Sequence, residues 1–366
     1  MLRTQTHDNN CTTHRSHGKS HQSNVRSNLT KKAPITIPAA MVRGMLAGIE
    51  ARGESVESYL QAAGIPMELL DHPGARVTAD QYVLLFRLLI DRRRDECLGF
   101  LLRPLKPGSF ALMAHSALGS RNVEQAIRRV ARTFSLLRDD ATLELRIEGD
   151  CAGMLLGFDE ASVVHHVFLH ELMLRVFWRL VAWLAGGRLP ARHFDFAFAA
   201  PPHVDSYSQA FPARLEFGRA HTAIWFDSRW LQVAVRRDED ALRAFLAEAQ
   251  ANIIMPRRND ELTSSRVRDH LRRMQPGWPD LSAAAAALHM STATLQRKLA
   301  LEATSFQALK DELRRDIAIV RLNTSGVPLA ELAQELGFTD SAAFQRAFKG
   351  WTGSAPGAYR QGKRTL

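Results

Sequence analysis

The sequence predicts an α+β N-terminal domain followed by an all-α C-terminal domain with two helix-turn-helix units joined by a long helix. Three observations predict it. Helical periodicity over Ile35 to Leu137 gives way to alternating strand patterns that run to Asp227, the chain beyond Pro256 is helical to its end, and one two-helix pattern occurs twice in that last part.

The first 33 residues hold almost no large apolar side chains and are rich in Ser, Thr, Asn and His, so they are expected to form a disordered basic tail. His7, His14, His17 and His21 read as solvated tail rather than a metal site. Next, "MVRGMLAGIEARG" and "SVESYLQAAG" carry period-3.6 apolar residues and stop at Gly53 and Gly64; "ADQYVLLFRLLIDRRR" and "NVEQAIRRVARTFSLL" follow the same rule. "ATLELRIEGD" and "CAGMLLGFD" alternate around Gly149 and Asp150, predicting a hairpin. A long helix is expected from about Ser162 to Ala185, then a strand in "HFDFAFAA" and a strand pair in "ARLEFGRAHTAIWFD" around Gly218. Pro256 and the charged residues after it mark the junction, giving one domain at 34–260 and a second at 261–366.

Composition supports this division. A chain of 366 residues with 46% hydrophobic content has room for two ordinary cores. The formal charge of +10 is unevenly placed: residues 1–33 carry six Lys/Arg against Asp8, residues 261–366 carry fifteen against ten acidic, and the 227 residues between balance at 27 of each sign. A basic C-terminal module beside a neutral body fits a nucleic-acid reader attached to a second, different domain. The most apolar run, "VFLHELMLRVFWRLVAWLAGG", is broken by His170, Glu171, Arg175 and Arg179, so no membrane span is expected. No apolar signal core opens the chain, and three scattered cysteines, Cys11, Cys97 and Cys151, fit a reducing compartment; a cytoplasmic location is expected.

The duplicated pattern carries the chemistry. In "PDLSAAAAALHMSTATLQRKLALEA" a helix capped near Asp280 ends at a tight break at His289, and a second helix starts at Ser291 with Leu295 and Leu299 inward. In "PLAELAQELGFTDSAAFQRAFKG" the residues Ala333, Leu336, Gly337, Phe344 and Phe348 take the places of Ala285, Leu288, His289, Leu295 and Leu299. Ser305 to Ser325 forms one amphipathic helix between the copies. Phe344, Ala347, Phe348 and Trp351 define a buried face of the last helix, which leaves Ser341, Ala342, Gln345, Arg346 and Lys349 outward, small polar and basic side chains suited to a DNA major groove.

These residues and their spacing, over about 262–361, resemble the AraC/XylS family of bacterial transcription regulators. Residues 35–250 resemble, more loosely, the N-terminal domain of one branch of that family, through "PGSFALMAHSALGSRNVEQAIRRVARTFSLL" and "FDSRWLQVAVRRDEDALRAFL". The resemblance implies a sequence-specific transcription regulator, most simply a ligand-responsive activator. Its partners would be double-stranded promoter DNA, RNA polymerase, a small-molecule effector of unspecified identity and a second copy in a homodimer, with no cofactor. It implies base-facing roles for Ala293, Gln296 and Arg297 in the first reading helix and for Ser341, Ala342 and Gln345 in the second, with Arg346 on a phosphate. Two departures stand out: Ala293 and Ala342 replace the Arg and Ser of many relatives, and His289 replaces the usual turn glycine.

Two other classes fit less well. A metal-dependent enzyme could use His166 and His170, four residues apart on a helix, but the HExxH order is absent. DNA-repair methyltransferases with a similar double motif need a cysteine cluster that three dispersed cysteines do not supply. A ligand-independent architectural DNA binder has no use for a neutral domain of over 200 residues. Arg175 and Arg179 share a face of the long helix and could meet a carboxylate, but are expected to face solvent; the Phe-rich and Leu-rich cores would suit an apolar ligand equally well.

Overall fold

The computed structural model describes residues 35–72, 74–159, 167–204, 207–255, 262–302 and 304–360. The expected N-terminal tail, His166 and residues 256–261 at the expected domain junction lie outside them. The chain begins with strand β1 (Thr36–Pro38), helices α1 (Ala39–Glu50) and α2 (Glu57–Ala63), strand β2 (Arg76–Thr78) and helix α3 (Ala79–Arg93). Sequence periodicity predicts only helix here. Instead β1 and β2 pair antiparallel, Thr36 opposite Thr78, into a two-stranded ribbon. Three residues are too few to show a period of two, so the ribbon leaves no alternation to read.

Helix α3 starts where its capping chemistry dictates. Thr78 Oγ1 accepts the Gln81 amide at 3.2 Å, and Gln81 Oε1 accepts the Thr78 amide at 2.9 Å, a reciprocal capping box. Helices α4 (Ser109–Ala117) and α5 (Val123–Leu137) follow, the second opened by Asn122, whose side chain accepts the Gln125 amide at 3.0 Å. Strands β3 (Ala141–Glu148) and β4 (Cys151–Phe158) form the expected hairpin in full register, Ala141 opposite Phe158. Then come the long helix α6 (Val167–Leu184), strand β5 (Ala191–Phe196), a short helix α7 (Tyr207–Ala210), and strands β6 (Arg214–Phe217) and β7 (Thr222–Asp227).

The five-stranded sheet runs β3-β4-β7-β5-β6. The two strands expected as a pair around Gly218 therefore do not pair with each other. β7 lies antiparallel between β4 and β5, while β6 pairs parallel with β5 at the edge. Burial explains the exchange: β7 is buried along almost its whole length and suits the centre, whereas Arg214 of β6 is exposed and suits an edge.

Helix α6 packs on the sheet and on the N-terminal helices; Phe177 meets Phe134 edge-on at 5.1 Å and Phe168 stacks on Phe100 at 6.0 Å. Each such ring contributes roughly 1.5–3 kcal/mol by leaving water. Contrary to the expectation of a solvent-facing pair, Arg175 is 0% and Arg179 6% exposed. Helix α6 is covered from more than one side, so residues four apart share burial instead of solvent.

Helices α8 (Glu239–Ala247) and α9 (Ala249–Ile254) end the α+β part. Beyond the junction the chain is helical as expected: α10 (Thr263–Arg273), α11 (Leu281–Ala287), α12 (Thr292–Leu301), α13 (Phe306–Thr324), α14 (Leu329–Glu335) and α15 (Ser341–Thr352). The two parts meet directly. Thr36 Oγ1 of the ribbon donates to Asp316 Oδ1 of α13 at 2.6 Å, the Arg76 amide donates to the Tyr359 hydroxyl at 3.1 Å, and Gln81 Nε2 donates to Asn323 Oδ1 at 3.2 Å.

Candidate DNA-binding interface

Each reading helix is built by the same local code. In the first unit, Asp280 caps α11 by accepting the Ala283 amide at 2.8 Å, and Ser291 caps α12 by accepting the Thr294 amide at 3.1 Å. Between them His289 sits at φ 57°, the left-handed turn expected of it. Leu295 and Leu299 are fully buried, which rotates Ala293, Gln296, Arg297 and Lys298 of α12 outward, all exposed. In the second unit Gly337 takes the left-handed turn at φ 73°, and Asp340 caps α15 by accepting the Ala343 amide at 2.7 Å. Phe344 and Phe348 are buried, leaving Ala342, Gln345, Arg346 and Lys349 exposed and Ser341 partly so. Hydrogen bonding from the Ala343 amide, with help from Ala342 and the Arg346 charge, holds the Asp340 carboxyl below its usual range, so the cap is ionised at neutral pH.

The residues predicted to read bases thus fall into two exposed sets on two helices, with Lys298 added to the first. Helix α13 joins the units, capped by Ser305, which accepts the Ala308 amide at 3.1 Å. Its 19 residues span about 28 Å at 1.5 Å per residue.

A clamp that the sequence reading did not single out fixes one unit against the other. Trp278, just before the first unit, donates its indole N–H to the Glu335 carbonyl in α14 at 2.8 Å. The Arg314 guanidinium of α13 lies 5.0 Å from the Trp278 ring and 5.0 Å from the Phe338 ring, a cation held between an aromatic ahead of the first unit and one of the second. Lys310 donates to the carbonyls of Trp278 and Pro279, both at 3.1 Å. These two basic residues are therefore structural. A Trp-Pro pair directly ahead of a capping Asp is the one sequence signal that could have pointed to the clamp.

Of the histidine pair considered for metal binding, only His170 lies among the described residues. His170 Nδ1 lies 2.8 Å from Thr222 Oγ1, and its ring packs edge-on against Phe158 at 4.8 Å and Phe198 at 5.5 Å. Among the described residues no helix is long and apolar enough to cross a membrane.

The family model for the arabinose-binding domain of AraC transcription regulators, N-terminal, matches residues 53–235, half of the chain, and a helix-turn-helix domain model matches residues 284–362, which hold both reading helices. The chain belongs to the AraC family of transcription regulators. As an AraC-family regulator it is a DNA-binding protein with a ligand-responsive N-terminal domain. The ornithine utilization regulator of Pseudomonas aeruginosa is 27% identical over 334 residues, spanning 89% of this chain and 96% of that protein. The HTH-type transcriptional regulator VirS of Mycobacterium tuberculosis is 28% identical over 192 residues, 52% of this chain and 56% of its own length. Among solved structures, the transcriptional regulator CdpR of Pseudomonas aeruginosa aligns with 86% of this chain and 98% of its own at 21% identity and a TM-score of 0.32.

Proposed function

We propose that one protomer of this AraC-family regulator reads a promoter element through α12 and α15 together and activates transcription by recruiting RNA polymerase. The observation that supports this most is the pair of capped helices, each with an inward aromatic or leucine pair and an outward Gln-Arg pair. Glutamine can pair bidentately with adenine and arginine with guanine or a phosphate. In this reading Gln296 and Arg297 address one box and Ser341 and Gln345 the other. Ala293 and Ala342 offer methyl contacts to thymine, and Arg346 and Lys349 bind phosphates. Residues 34–260 bind the effector and associate into a homodimer, and the protein works in the cytoplasm.

Two substitutions separate base reading from backbone binding. Gln345→Ala is expected to relax preference at one base pair by about 1–3 kcal/mol, whereas Arg346→Ala weakens all sequences nearly uniformly and lowers the salt slope by about one unit. Binding to the chain's own upstream region and to random DNA at ~150 mM salt gives the reference, with a preference of ~10³-fold or more expected. Equal affinity for the two DNAs sinks the reading. A reversed pattern for the two variants shows α15 rotated from the assigned face.

A further inference from the structure

The N-terminal domain carries a cavity on the face of its sheet turned away from the main core, and DNA reading makes no use of it. Side chains alternate across a strand, so Ile224 and Phe226 of β7 join the main core while Ala223 and Trp225 take the other face, where they pack with Leu155 of β4 in a small separate cluster. Gly153 stands opposite Trp225 in the ladder, and a Cβ there would lie 2.8 Å from the indole ring, so the glycine is what lets that ring lie across the sheet. Leu155, Ala223 and Trp225 form, with Asp195 of β5, the buried floor of a cavity of about 400 Å³. Its rim carries the half-buried Arg146 of β3 and the exposed Arg219 from the turn between β6 and β7. Small-molecule sites ordinarily have volumes of about 300–1,000 Å³.

One polar atom on the floor is unanswered. Asp195 is only 7% exposed; its Oδ2 accepts the Trp225 indole N–H at 2.7 Å, whereas its Oδ1 is buried without a hydrogen-bond partner. Arg219 Nε at 3.7 Å and His193 Nε2 at 3.9 Å stand beyond hydrogen-bond reach of it. A carboxylate oxygen that has left water without gaining a donor is costly. The rim arginines have no such need: Arg146 lies 3.5 Å from Glu144 and Arg219 3.6 Å from Glu216. An anion entering the cavity would meet arginines that already have carboxylates beside them and a floor that repels it. A cation would bring Asp195 its missing donor and rest its hydrocarbon part on Leu155, Ala223 and Trp225.

We propose that this cavity is the ligand site of the N-terminal domain and takes a small organic cation, a primary ammonium or guanidinium group donating to Asp195 Oδ1. This rests on the ligand-responsive reading of that domain and names the ligand class. Arg219 is the built-in competitor. Its side chain is 54% exposed and stands at ion-pair distance from the same oxygen, so an entering cation displaces it toward water.

The test uses the full chain and three sets of millimolar probes: the cations of butylamine, butylguanidine and phenethylamine, the uncharged butanol and phenethyl alcohol, and the anions valerate and hydrocinnamate. Thermal unfolding reads binding, and at least one cation is expected to raise the melting temperature while the uncharged and anionic probes do not. Asp195→Asn keeps a carbonyl oxygen for the Trp225 indole but removes the charge, and should weaken cation binding about tenfold or more. Arg219→Ala removes the competitor at an exposed position where folding is not at stake, and should tighten cation binding about two- to fivefold. A panel in which no cation binds, a response undiminished in Asp195→Asn, or weaker cation binding in Arg219→Ala overturns the proposal. Gel shift on the upstream region in the same samples keeps the two readings apart: if no cation binds while specific DNA binding persists, the regulator reading stands and only this ligand assignment falls.

Discussion

At the scale of single residues, the two turns of the duplicated unit solve one backbone problem with different side chains. His289 and Gly337 both occupy the left-handed region, at φ 57° and 73°. Only Gly337 is also confined: a Cβ there would lie 2.8 Å from Cδ1 of Trp278, the ring that clamps the two units together. The conformational penalty and the collision add, so Gly337→Ala is expected to destabilise by about 2–4 kcal/mol. His289→Gly relieves the first penalty with no collision to lose, and should stabilise by about 0.5–1 kcal/mol. Denaturant midpoints of the two variants check this; equal and opposite small effects would mean that Trp278 yields freely.

At the scale of elements, caps decide where the reading helices begin, and one cap comes from far along the chain. Glu302, at the end of α12, accepts the amides of Thr263 and Ser264 at 2.8 and 2.9 Å, closing the N-terminus of α10. Burial is the largest single influence on this carboxyl and pushes it up, but the hydrogen bonds from Ser264 and Thr263 together hold it below its ordinary 4.5. A depressed carboxyl favours the folded state while ionised. Its contribution is therefore complete at neutral pH and is lost as pH falls through the folded value, below about 4.5. Glu302→Gln should lower the melting temperature at pH 7, and the gap to the parent should narrow as the pH falls below about 4.5. A gap that stays constant as the pH falls through that range would show that the carboxylate charge contributes nothing.

At the scale of the whole molecule, two reading helices on one clamped body set the shape of the operator. They can enter successive major grooves on one face of DNA when they lie about 34 Å apart, one helical turn. Helix α13 at about 28 Å, with the width of the flanking helices, is of the right size. One protomer should protect two unlike boxes with centres about 10–10.5 base pairs apart, as a direct element without palindromic symmetry. Inserting five base pairs between the boxes turns one by half a helical turn and should abolish joint contact in a footprint. Undiminished binding would leave one unit reading sequence and the other gripping backbone. The sensor domain bears on this body through the ribbon, where Thr36 meets Asp316 on α13 across 280 residues of chain.

The double reader was legible in the sequence almost residue by residue, because its signals are local. Asp280, Ser291, Ser305 and Asp340 each bond the amide three residues on, and Leu295, Leu299, Phe344 and Phe348 set a helical face within one or two turns. The hairpin of β3 and β4 was legible for the same reason. What only the tertiary structure decided are partners chosen at long range. β5 separates β6 from β7, the ribbon pairs Thr36 with Thr78, and Arg175 and Arg179 are enclosed although charged side chains on a helix ordinarily read as its wet face. An arginine carries no local mark of burial; the packing of α9 against α6 decides that.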